Sequence, residues 1–168
     1  MKAKFTSVFL TLAHCSYASA NCFQELATYK DAAANAELAF IPRKEGEVDS
    51  MLARFTITFP ENNVKLDGVV MDAGEPFFRP LGIIMHNCPE GDATGDEIAA
   101  CTVWQGNVYG LDEVGNVNYL ASTNEGQKAA TTLLFPDLGA AVQMSTAFGT
   151  GKLTAPPRDD FKQSACLE

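Results

Sequence analysis

Four cysteines constrain this chain more than any other feature it carries. Cys22, Cys88, Cys101 and Cys166 are what remains of five once the N-terminal leader, which contains Cys15, is set aside. The leader reads from Lys2 and Lys4, an apolar run over residues 5–13 and the small-residue site Ala18-Ser19-Ala20. A basic start, a short apolar stretch and a small-x-small site are the parts of a secretory signal peptide, and the stretch is too short to span a bilayer. We expect residues 1–20 to be the signal and 21–168 a single disulfide-stapled domain. A lipid anchor at Cys15 is the competing reading, but its motif needs a small residue where His14 stands.

Export supplies an oxidising compartment, and an even cysteine number then reads as two disulfides with three possible connectivities. Twelve residues separate Cys88 from Cys101, a loop that closes easily. That favours Cys88–Cys101 and leaves Cys22–Cys166 to tie the ends of the mature chain. No C-x-x-C occurs, so neither a redox motif nor a zinc ribbon is expected.

Beyond the leader 148 of the 168 residues remain, enough for one core. No other stretch is long and apolar enough for a membrane helix. Without Lys2 and Lys4 there are ten basic residues against 21 acidic ones, a net charge of −11. Such a field repels phosphate backbones, so nucleic acid is not an expected partner.

The clearest periodicity is Met51-Leu52-Ala53-Arg54-Phe55-Thr56-Ile57-Thr58-Phe59, whose odd positions are all apolar. Period two means a strand with one buried face. Pro60-Glu61-Asn62-Asn63 turns the chain, and Val64, Leu66 and Val70 alternate with polar residues, predicting a hairpin of 51–59 with 64–71. Residues 82–86 form a short apolar run, a strand. Residues 102–111 predict a strand with Trp104 and Val108 on one face and Val103, Tyr109 and Leu111 on the other; 112–116 turns it into a second hairpin. Residues 128–135 suit strand or helix equally, and a helix follows Pro136-Asp137, with Leu138, Ala141, Val142 and Ser145 on one face and Gly149 and Gly151 ending it. The alanine-rich residues 22–37 predict one or two helical turns, and residues 160–167 an edge strand held by Cys166. The expected fold class is α+β: a mainly antiparallel sheet of about six or seven strands, a curled sheet or open barrel, with two or three short helices.

Candidate functional residues gather between positions 77 and 106. Phe77 and Phe78 stand among Gly74, Pro76 and Pro80 on an irregular loop, and Trp104 is the single tryptophan; these three are the candidate binding aromatics. His86 is the one histidine of the mature chain, so a hydrolase needing an imidazole base would have to use it, although no Gly-x-Ser-x-Gly accompanies it. Glu90, Asp92, Asp96 and Glu97 are candidate oxygen ligands for a hard cation. An EF-hand register starting at Asp92 nevertheless meets Glu97 where glycine is required and Val103 where the bidentate glutamate belongs. Thr94-Gly95-Asp96-Glu97 has instead the form of a capping box, which predicts a helix over 95–101.

The segments Met85-His86-Asn87-Cys88-Pro89-Glu90-Gly91-Asp92 and Cys101-Thr102-Val103-Trp104-Gln105-Gly106 resemble small exported alphaproteobacterial proteins of unknown function. The resemblance implies export and the cysteine framework, and brings no activity, ligand or catalytic residue with it. The leading expectation is therefore a periplasmic or secreted, non-enzymatic protein that binds an unknown protein or small molecule and needs no cofactor. A hydrolase using His86 and a calcium-stabilised structural module are the alternatives.

Overall fold

The computed structural model describes residues 22–42, 46, 50–74, 79–120, 126–149 and 153–167. A single turn of 3-10 helix, Gln24–Leu26, leads into β1 (Ala27–Asp31), β2 (Ala36–Ile41), β3 (Met51–Phe59), β4 (Val64–Asp72) and β5 (Pro80–Met85). Helix α1 (Gly95–Cys101) then precedes β6 (Thr102–Asn107), β7 (Tyr109–Leu111), β8 (Val117–Tyr119) and β9 (Thr132–Leu134). Helix α2 (Leu138–Met144) and β10 (Asp160–Cys166) complete the chain. The ten strands form one sheet in the order β6-β5-β4-β3-β2-β1-β10-β9-β7-β8.

That order explains the curvature. β6 begins the sheet and β7 lies near its far end, yet only Val108 separates them in the chain. The sheet therefore curls into a half-barrel until its two ends share one run of backbone. Val108 is fully buried; its N–H donates to the Pro80 carbonyl at 3.1 Å and its carbonyl accepts from Leu120 at 3.3 Å.

The β3–β4 hairpin is as expected, with Phe55 opposite Gly68 and Phe59 opposite Val64. One departure from strict alternation has a clear cause. Leu52 is an extra residue between the pairs Met51–Met71 and Ala53–Val70, a β-bulge that turns both Leu52 and Ala53 inward.

The interior of the curl is filled by aromatic rings. Tyr29, Phe40, Phe55 and Phe135 follow one another at centroid spacings of 6.0, 6.1 and 5.6 Å, and Phe135 also meets Trp104 and Phe161. Ring spacings of this size in tilted and edge-to-face pairs are favourable beyond simple burial. Glycines make the room: a Cβ on Gly68 would enter the Phe55 ring, and one on Gly106 would lie 2.6 Å from the Trp104 indole.

Both disulfides pair as expected, Cys22 with Cys166 at a Cα separation of 5.8 Å and Cys88 with Cys101 at 5.2 Å. Helix α1 spans the predicted residues with its capping box formed. Among the described residues no helix is long and apolar enough to cross a membrane.

The single strand expected over 102–111 is broken at Val108 into β6 and β7, and four further expectations are corrected. The sheet has ten strands, not six or seven, because short extended pieces such as β8 and β9 carry too few residues to show a period. Residues 22–37 are not a helix beyond the single 3-10 turn: β1 and β2 occupy them, with Ala27, Tyr29, Asp31, Ala36 and Leu38 buried. Alanine's helix preference amounts to a few tenths of a kcal/mol per residue over most other residues, roughly what pairing on both sides and burial of Tyr29 and Leu38 easily exceed. Asn35, at a positive φ of 49°, makes the turn between them. The tail is not an edge strand, since β10 lies between β1 and β9 with Phe161 fully buried. Finally, α2 stops at Met144, ahead of the glycines expected to end it.

Candidate functional site

The 3-10 turn places Gln24 at the heart of the best-formed cleft. Its side chain is 1% exposed, and a buried amide must be hydrogen-bonded to be tolerated. Gln24 Nε2 donates to the Tyr29 hydroxyl at 2.8 Å, while Oε1 accepts from the Ala130 N–H at 2.9 Å. Tyr29 in turn donates to the Ala130 carbonyl at 2.8 Å. Burial pushes the Tyr29 phenol far above its ordinary value, the Gln24 hydrogen bond opposing this only in part; the hydroxyl therefore stays protonated and keeps donating. Of the two N–H bonds of the Gln24 amide, the described residues account for one.

Above this amide opens a cleft of about 300 Å³, walled by the β7–β8 hairpin on one side and residues 128–130 on the other. Leu111, Val114, Tyr119 and Leu120 give it apolar walls; Gln24, Asn118 and Asp112 supply polar groups. Val114 and Tyr119 are exposed at 82% and 43%, and Tyr119 stacks on Tyr109 with centroids 5.7 Å apart. The hairpin turn is held by Asp112, whose Oδ1 accepts from the N–H groups of Val114 and Asn116 and whose Oδ2 accepts from the Asn116 side chain. Those hydrogen bonds, the Asn116 side chain first, lower the Asp112 carboxyl below its ordinary value. At the mouth Lys128 Nζ meets Glu113 at 2.8 Å with both side chains more than half exposed, a pair of little energetic worth.

A second groove of about 530 Å³ runs between β6 and α2. Trp104 lies in its floor, 5% exposed, with Nε1 donating to the Pro136 carbonyl at 2.8 Å. That bond pins the entry of α2 to β6. The helix start is held from the other side by Asp159, which accepts from the N–H groups of Asp137 and Gly139 at 2.9 and 3.4 Å.

The residues singled out in the sequence are therefore dispersed. Trp104 is chiefly a core residue that lines the second groove. Phe77 and Phe78 lie outside the described residues. His86 follows β5, half-buried, its N–H on the Cys101 carbonyl at 2.9 Å, and lines neither cleft. Glu90, Asp92, Asp96 and Glu97 are exposed, and among the described residues no three His, Cys, Asp or Glu side chains converge as metal ligands would. Glu97 instead caps α1, its carboxylate accepting from the Thr94 N–H and hydroxyl, both at 2.8 Å, which lowers its pKa.

Sequence reasoning missed Gln24 and the wall residues Leu111, Val114 and Tyr119. Gln24 carried no signal, since nothing in a lone glutamine announces burial. Val114 carried one: an aliphatic residue inside a polar turn is out of place unless something covers it. Comparison with models of protein families, with curated proteins and with solved structures found no match.

Proposed function

We propose that this is an exported, non-enzymatic binding protein that takes a small ligand in the cleft above Gln24. The observation that carries the proposal is the Gln24 amide itself, almost wholly buried in the lining of an apolar-walled cleft, with one N–H that no described residue accepts. Binding sites have this composition, mostly apolar walls with a few placed polar groups, and about 300 Å³ is the lower end of their usual volume. A ligand of matching chemistry would be compact, with an apolar body and a hydrogen-bond acceptor directed at Gln24. Export rests on the leader and on the two disulfides, which belong to oxidising compartments. The kinship with small exported alphaproteobacterial proteins is part of the same proposal.

Native mass spectrometry on protein recovered from the periplasm tests this reading. A small molecule should accompany the wild type and be absent from Leu111→Arg, which fills the cleft. Repeated recovery of bare protein, together with no thermal stabilisation by any member of a metabolite panel, would overturn it.

A further inference from the structure

The groove between β6 and α2 is a separate place with separate chemistry. Val103, Trp104, Pro136, Ala140, Ala141 and Met144 make its surface predominantly apolar, and Met144 is 85% exposed. A flexible, polarisable methionine on an open apolar surface adapts to inserted side chains. β6 is the terminal strand of the sheet, so the edge it turns away from β5 has no strand partner among the described residues.

Among the described residues that line the groove, the one charged side chain is an acid. Asp137 stands in the groove wall. At the other end, Thr102 continues directly from α1 and its hydroxyl donates to Ile98 at 2.7 Å, so Asp96 and Glu97 at the start of α1 lie within roughly 10 Å of the groove by helix rise, about one Debye length. No lysine or arginine lines it.

We infer that the groove docks a basic, extended polypeptide segment of a partner, with apolar side chains at alternate positions entering between β6 and α2 and lysines or arginines facing Asp137 and the α1 acids. Period-two alternation follows from lying beside a strand edge, and the cations follow from Asp137 in the wall and the acids at the start of α1. The inference does not depend on the cleft above Gln24.

The single tryptophan lies in the groove floor, so Trp104 emission reports occupancy directly. A short peptide alternating lysine and valine should shift that emission and bind the disulfide-intact protein, with affinity falling as salt rises. Its glutamate–valine counterpart and oligolysine should each bind at least about tenfold more weakly. Ala140→Arg places bulk and positive charge in the groove at an exposed helical site where arginine is well tolerated, and should weaken the lysine–valine peptide about tenfold; Val114→Arg, at the other cleft, should leave it unchanged. Equal binding of oligolysine, equal loss in both variants, no binding at all, or self-association of the protein abolished by Ala140→Arg would each overturn the inference.

Discussion

At Gln24 one side chain closes a three-group network that links β1 to residue 130. Removing the amide leaves the Ala130 N–H and one Tyr29 contact unsatisfied in the core, and an orphaned buried group costs about 1–3 kcal/mol. Urea denaturation should therefore show Gln24→Ala destabilised by about 2–3 kcal/mol, and Gln24→Ala with Tyr29→Phe should cost less than the sum of the two, because each single change already breaks their shared bond. Tyr29 also sets an alkaline limit. Its native pKa is raised above the unfolded value of 10.0, so the unfolded chain releases a proton that the native state keeps. This contribution is complete below pH 10 and declines as pH climbs through it; in wild type the melting temperature should fall over that range more steeply than in Tyr29→Phe. Gly68 offers a test of packing. Alanine ordinarily gains about 0.5–1 kcal/mol over glycine in a strand, but overpacking costs about 1–3 kcal/mol, and a Cβ there enters the Phe55 ring. Gly68→Ala should therefore be net destabilising by calorimetry.

Among the elements, α1 and the two disulfides separate local from global stability. α1 buries no residue fully and is held by its capping box and by the Cys88–Cys101 bridge. Thr94→Ala, worth about 1 kcal/mol at an N-cap, should speed amide exchange in residues 95–100 while leaving the melting temperature nearly unchanged. The bridges act differently. Cys22–Cys166 closes a loop of 144 residues and Cys88–Cys101 one of 13, so the chain-entropy model gives about 5 kcal/mol for the first and about 3 for the second. Serine replacement of the long pair should lower the urea midpoint more than replacement of the short pair.

For the whole molecule, the decisive fact is that the last strand lies inside the sheet. β10 pairs with both β1 and β9 and contributes fully buried Phe161. Truncation before Asp160 should therefore abolish the cooperative thermal transition, whereas an edge strand could be lost at modest cost. The β3–β4 hairpin, the α1 cap and the cysteine pairing were legible before any tertiary contact, because each rests on residues close in the chain or, for the ends, on elimination. Where the structure departed, the deciding contacts were distant ones. The alanines of β1 and β2 became strands because β10 and β3 pair on either side of them. Gln24 became the base of a cleft because residues 128–130, a hundred positions away, were folded over it. His86 and its neighbouring acids, adjacent in sequence and suggestive of a site, line neither cleft. Local order follows from spacing and propensity; a site is a convergence of remote residues, and only closure of the sheet through Val108 brings those together.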